Sequence, residues 1–484
     1  MPTGNEAHYF IKAKHFADSS WASSDFFLQS GNTHLVFYVA FGWLTQFLSL
    51  SATVWVVRIL AWTLLAFSWV RLSRAISPRP FLSVLFAAIF LATQRRFSMS
   101  LAWVVYGAEA KVFAYALLFL ALADLIHEKW GRMWILLGAS TLWHPVVGGW
   151  GTLVALVCAL AFTRGITPVW NHPLSLAIAL LLALGGMIPA LMVNRGADSE
   201  TSLEAIGILV YNRIPHHLYP PGFLPGKVTG HLPLIGAWLI LGFISWRDRN
   251  ARRFQLFVLG TAVLTLIGLA ITFLTREHSP IQAKLLRFYL FRLFDVMVAL
   301  GVGAGVIFIA SLLWESRQKL TLWLTLWIGA VGFHFYDHWP TTSRSVPIQF
   351  KLGKTQEEFH AWRSLCEWIG ENTPKDALFL TPTKSQTFVW YAHRGEVVSW
   401  KNVPQDAKSL VEWQNRMLAI HGTMNSQKLS MHFSEETIKK LKDIAKRYGA
   451  RYLIYFAGKK VSLPVVKRNE HFVLYSISDH PLKS

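Results

Sequence analysis

The run FRLFDVMVALGVGAGVIFIASLL, residues 291–313, decides the fold class. Its only charged side chains, Arg292 and Asp295, stand at its start. An apolar run longer than about 18 residues reads as a helix that crosses a bilayer. Nine more apolar runs accompany it, at 53–72, 81–94, 110–127, 132–143, 146–163, 173–193, 231–246, 254–274 and 319–337. The run at 132–143 is short for a crossing and forms a hairpin with the next, broken at His144-Pro145.

The whole composition agrees. Of 484 residues, 53% are hydrophobic and 15% charged, with 22 Trp and 33 Phe. Soluble domains carry about a quarter charged residues. The formal charge of +20 reads as basic cytoplasmic loops and argues against nucleic acid as a partner. Cys158 lies in an apolar run and Cys366 in a late polar region, so no disulfide framework is expected. Residues 1–31 contain no apolar core of a cleavable signal peptide.

Arg71, Arg74, Arg79, Lys129, Arg132, Arg164, Arg247, Arg249, Arg252, Arg253, Arg317 and Lys319 fall on one side if each run crosses once. The positive-inside rule makes that side the cytoplasm. The opposite face then gathers 94–109, the His144-Pro145 break, 194–230, 275–291 and everything after Phe335. The segment His34–Leu50 is short and Gly-interrupted, so it either spans or lies in the interface. Residues 1–31 join the outer face only if it does not cross.

From about Asp337 the composition turns polar. Gln356–Asn372 reads as a helix stopped by Pro374, Ala377–Leu380 and Val397–Trp400 as strands, and Ala407–Ile420 as a helix. A helix capped by Ser434 runs to Tyr448 and ends at Gly449, before strands Arg451–Phe456 and Phe472–Ile477. The expectation is an all-α polytopic membrane helical bundle with a small C-terminal α/β extramembrane domain. The parts are 1–52, an outer loop with interfacial helices; 53–337, a bundle of about ten helices; and 338–484, an extracytoplasmic domain.

Candidate chemistry lies in the outer loops. Glu6 and Asp25 are carboxylates at the membrane surface, able to accept a proton or hold a divalent metal. Taken singly, Asp25 also reads as a solvated loop residue. Glu109 and Lys111 stand at the mouth of a span, where ionisable groups are paired or functional. Two residues apart on a helix they do not face each other, so each is expected to find another partner. His144 either caps backbone freed by Pro145 or serves the site. Arg213, His216 and His217 form the densest polar cluster, suited to an anionic phosphate. Arg287 and Arg292 flank a helix mouth, where Arg clamps lipid phosphate or snorkels to ordinary head groups. Asp295 needs a partner inside lipid, and Arg292 three residues before it is the expected one. No HExxH, GxSxG or Walker pattern occurs.

An acidic residue followed by Tyr9 and Lys14, then an interfacial segment and many spans, resembles the type-C glycosyltransferases, which use polyprenyl-phosphate sugars. The resemblance implies that Glu6 is the general base, or a metal ligand with Asp25, with Mg or Mn as the possible metal. It implies a polyprenyl-phosphate-linked sugar as donor, membrane lipid as the other partner, and Arg213, His216, His217, Lys111 and Arg287 around the leaving phosphate. It also makes His34–Leu50 interfacial. That family has a spanning helix before the acidic loop, so the resemblance implies either a start further upstream or a degenerate member. It also pairs its acid with a second one, where this chain has Asn5. More narrowly, Glu109-Ala-Lys111-Val-Phe-Ala-Tyr115, His144-Pro-Val-Val-Gly-Gly149, Arg213-Ile-Pro-His216-His217 and the helix end at Pro374 resemble an uncharacterised domain-of-unknown-function family of bacterial membrane proteins. The implied location is the bacterial inner membrane. The alternatives are a transporter or lipid-handling protein using Glu109, Lys111, Arg292 and Asp295, and a non-catalytic membrane scaffold.

Overall fold

Asp25 opens the path through the fold, because it joins the first residues to the last domain. Helix α1 (Glu6–Ala17) is followed by the single turn α2 (Phe26–Gln29), which Asp25 caps by accepting Leu28 N–H at 2.8 Å. Helix α3 (Leu35–Phe41) continues as a 3-10 turn, Gly42–Gln46. At 1.5 Å per residue or little more, this segment falls short of a bilayer core of about 30 Å. It does not cross. The computed structural model describes residues 2–3, 5–337, 352–353, 355–422, 438–459 and 461–477.

All ten apolar runs are helices. They are α4 (Leu50–Ile76), α5 (Pro80–Phe97), α6 (Ala110–Ile126), α7 (Trp130–Trp143) and α8 (Pro145–Thr163); then, after the short α9 (Thr167–Trp170), α10 (Pro173–Met192). The outer connection holds α11 (Ser199–Gly207) and the turn α12 (Pro215–Leu218). Then come α13 (Pro225–Ser245), α14 (Arg249–Leu274), the short α15 (Pro280–Leu286), α16 (Arg292–Leu312) and α17 (Arg317–Asp337). Six of them, α4, α8, α10, α13, α14 and α16, are long and apolar enough to cross a membrane. The chain is therefore a multi-pass membrane protein by length and composition.

Helix α16 is central: 78% of its apolar window is buried, against 11% for α10, which turns outward. Glycines let its neighbours approach. A Cβ at Gly301 would stand 2.5 Å from Trp238 of α13, and one at Gly305 would stand 2.6 Å from Leu241. On the other side a Cβ at Gly303 would meet Phe86 of α5 at 2.5 Å. Small residues at close crossings replace the hydrophobic drive that lipid cannot supply.

The C-terminal domain begins with α18 (Gln356–Asn372), whose N-terminus is a capping box between Thr355 and Glu358. Strand β1 (Leu378–Leu380), the turn α19 (Phe388–Ala392), β2 (Gly395–Glu396), α20 (Ala407–His421), α21 (Leu441–Tyr448), β3 (Tyr452–Phe456), β4 (Val465–Arg468) and β5 (Phe472–Ser476) follow. The sheet order is β2-β1-β3-β5-β4, parallel across the first three strands and antiparallel thereafter. Two expectations change. The second strand is Gly395–Glu396, with Val397 N–H still donating to Phe379 O at 3.0 Å and Trp400 N–H to Thr383 O at 2.9 Å, and β4 was not foreseen. The Ser434 cap lies outside the described residues; Gly449 ends α21 at φ +73° as expected.

The opening segment docks on this domain. Asp25 Oδ2 accepts Glu396 N–H at 3.0 Å, and Asp406 Oδ2 accepts Gly31 N–H at 2.9 Å. Residues 24–25 fill the space beside Gly395, covering the outer edge of β2. The opening segment, the domain and the loops 98–109, 194–224 and 275–291 thus share one end of the bundle.

Candidate functional site

Three segments remote in sequence meet at that end and enclose a cavity of about 480 Å³. The bundle supplies Trp103, Tyr106, Glu109, Lys111, His217 and Arg292; the opening segment supplies Asn5; the domain supplies Lys384, Gln386, Trp400 and Lys401.

Glu109 is the one carboxylate among these lining residues. Its backbone is extended (φ −134°, ψ 153°), since it is the N-cap of α6 rather than part of the helix. That geometry overturns the expectation that Glu109 and Lys111 look apart. Lys111 Nζ donates to Glu109 Oε2 at 2.9 Å, and Asn5 Nδ2 donates to the same oxygen at 3.1 Å. Burial alone would raise the Glu109 pKa, but the Lys111 charge, these bonds and the Lys401 charge outweigh it and hold the carboxyl below its usual range. Both recorded bonds fall on Oε2, so among the described residues Oε1 accepts none.

The cations around it are in excess. Lys111, Arg292, Lys384 and Lys401 face one acid. Arg292 stacks on Tyr289, 4.1 Å from the ring, and makes no ion pair among the described residues. Arg213 stands behind the wall, 4.7 Å from Trp400 and 6.0 Å from Trp413, with Nε buried and without a partner.

His217 Nδ1 lies 2.5 Å from Ser100 O. A carbonyl only accepts, so Nδ1 carries the hydrogen and Nε2 keeps its lone pair. Burial and the Arg292 charge hold the His217 pKa well below the ordinary value. Burial brings His216 and His34 to about 4. These imidazoles are neutral at pH 7, so the phosphate-suited charge resides in Lys and Arg.

Asp295 does not pair with Arg292. Its carboxylate accepts from Ser98 Oγ at 2.7 Å, Met99 N at 2.6 Å, Ser100 N at 3.0 Å, Ser100 Oγ at 2.9 Å and Ala102 N at 3.1 Å. It organises the turn 98–102, in which Leu101 adopts φ +54°, and that turn carries both a cavity wall and the carbonyl that orients His217. The partner expected three residues away lies nearly 200 residues away, because Arg292 points to the cavity and Tyr289.

Glu6 and Asp25 do not line the cavity. Glu6 is fully buried, and its carboxylate accepts from Thr3 Oγ1 at 2.9 Å, Ala108 N at 2.7 Å and Arg58 Nε at 2.9 Å. Gly107 lies close against it: a Cβ there would stand 2.8 Å from Glu6 Oε1. Asp25 is occupied by the N–H groups of Leu28 and Glu396. Glu6 thus sits in an ion pair with Arg58, and Asp25 at the joint between the opening segment and the domain. Among the described residues no three His, Cys, Asp or Glu converge as metal ligands.

His144 caps α8, its Nδ1 accepting Val147 N–H at 3.4 Å, and lies outside the cavity lining. Arg287 lines a different, apolar groove. The sequence reading missed Trp400, Lys384 and Gln386 as site residues and Arg58 as the partner of Glu6. Nothing local tied Lys401 to Glu109 some 290 positions earlier.

A family described as a domain of unknown function (DUF6798) matches residues 360–420. The match spans α18 to α20 and includes the domain's four contributions to the cavity. It fits the resemblance to an uncharacterised family and lends no support to the glycosyltransferase resemblance. No curated protein matches the chain.

Proposed function

We propose that the chain is a membrane-embedded transferase that moves a hexosyl or pentosyl group from a polyprenyl-phosphate donor to an acceptor at the extracytoplasmic face. One observation carries the reading: the cavity at the bundle mouth sets four cations around a single carboxylate. Lys111, Arg292, Lys384 and Lys401 suit a phosphate leaving group, and preorganised charge is the main help such a departure needs. Glu109 takes the role that the resemblance assigned to Glu6. The acceptor oxygen bonds to the anomeric carbon, the bond from that carbon to the phosphate oxygen breaks, and the acceptor proton passes to Glu109 Oε1. The electron pair leaves with polyprenyl phosphate, stabilised by the cations. Trp103, Tyr106 and Trp400 offer flat faces to a sugar. The outer domain closes the cavity and contacts the acceptor.

The test is sugar transfer by protein in nanodiscs, with short-chain polyprenyl-phosphate hexose and pentose donors. Glu109→Gln should lower turnover at least 100-fold, the lower end for a positioned base, with normal membrane insertion. Full activity in Glu109→Gln defeats the reading. Binding of polyprenyl phosphate by the wild type without any turnover selects a lipid-handling role for the same cavity.

A further inference from the structure

A second concavity, about 650 Å³, lies beside α8 and α10 and shares no lining residue with the first. Gly149, Trp150, Leu153, Met187, Leu191 and Leu209 are among the residues of its wall. It opens toward the outward faces of the bundle, where Leu153 is 45% and Leu191 70% exposed. Arg287 stands at the groove with its Nε buried and, among the described residues, without a hydrogen-bond partner. Its guanidinium rests 4.8 Å from the Phe288 ring and makes no ion pair among the described residues. No Asp or Glu lines the groove. Trp150 Nε1 donates to Phe288 O at 2.7 Å, which fixes the wall against the loop that carries Arg287. Asn194, Ser202 and Gln405 add hydrogen-bonding groups.

An unneutralised, partly desolvated cation over an apolar slot calls for an anion with a hydrocarbon tail. The outward faces of α8 and α10 meet bilayer lipid, which is the amphiphile at highest concentration there. We propose that this groove seats an anionic phospholipid of the surrounding bilayer, its acyl chain along α8 and α10 and its phosphate on Arg287. The site is independent of the transfer cavity.

Gly149 supplies the probe, because a Cβ built there meets nothing within 4 Å. A larger side chain at 149 enters the groove without a clash at its root. The experiment places full-length protein in nanodiscs of phosphatidylcholine doped with phosphatidylglycerol, and counts retained lipid by native mass spectrometry. Phosphatidylglycerol should be retained in preference to phosphatidylcholine. Arg287→Gln should lower its retention about fivefold, the contribution of one cation near an anionic surface, and leave phosphatidylcholine unchanged. Gly149→Phe should lower both, and Lys401→Gln neither. Equal retention of the two lipids by the wild type, or no loss in either groove variant, overturns the proposal. Displacement of phosphatidylglycerol by an equal amount of polyprenyl phosphate also overturns it, by making the isoprenoid the occupant.

Discussion

Glu6 and Glu109 show how differently two carboxylates at one membrane mouth are used. Glu6 is enclosed with Arg58, both nearly inaccessible, and removing one member of a buried pair costs about 3–5 kcal/mol. Glu6→Gln should therefore destabilise the protein by about that amount, read as a loss of thermal stability in detergent. Glu6→Gln with Arg58→Met together should cost less than the two singly added, because the double change leaves no orphan charge. Glu109→Gln, at an acid that lines the cavity, should lower turnover by more than its loss of the Lys111 pair lowers thermal stability. Asp295 is a third case. Asp295→Ala leaves three N–H groups and two hydroxyls of the 98–102 turn without their acceptor. At about 1–3 kcal/mol for an unsatisfied buried group, the turn should open, with faster amide exchange at 99–102 than in the wild type. Unchanged protection there defeats the assignment. Each residue was visible in the sequence as a costly acid near lipid. The partners were not: Arg58 and Ala108 reach Glu6 from 52 and 102 positions away, the 98–102 turn reaches Asp295 from nearly 200, and Lys111 meets Glu109 only because Glu109 stands extended outside the helix.

Helices were the most legible elements. Gln356–Asn372 lies where its start and stop signals place it, and the break between α7 and α8 falls at His144. These features arise from local propensity and caps, which a sequence displays directly. The strand at Gly395–Glu396 was misplaced by two residues, because its pairing with β1 is set by tertiary contact with Asp25 and Ser24. The Gly301, Gly303 and Gly305 series tests the packing of α16. Gly303→Leu forces a side chain into Phe86, and overpacking of this kind costs about 1–3 kcal/mol. It should lower the yield of folded protein and the unfolding temperature. Gly149→Ala, in open space, should do neither.

Bundle, opening segment and domain share one buried hydrophobic cluster and are joined by hydrogen bonds such as that of Asp25 to Glu396. At the Asp25 joint, burial, with the nearby Glu396 carboxylate, lifts the Asp25 pKa from 3.8 to about 7. Its folded pKa lies above the unfolded one, so between about pH 4 and 7 the folded state binds more protons than the unfolded. The joint is therefore strongest at the acid end and weakens as pH rises through that window. Lys12, lowered by burial to about 7, acts above it in the opposite sense: stability from its loss of a proton grows from about pH 7 toward 10.5. Thermal stability measured from pH 4.5 to 7 should fall more steeply for the wild type than for Asp25→Asn, whose profile lacks this proton. Parallel profiles would refute the role given to Asp25.

The amino-acid sequence by itself determined the membrane class, the helices, and the change to a small α/β domain. Burial of apolar runs and backbone capping depend on neighbours along the chain, and their signals add locally. The tertiary structure alone decided that Glu6 is closed off by Arg58 and that Asp25 joins the opening segment to the last domain. It also brought Glu109 to face Lys401 across the cavity. Those outcomes depend on which charged group reaches another across folded space, where desolvation makes every unpaired charge costly and leaves few arrangements that satisfy them all.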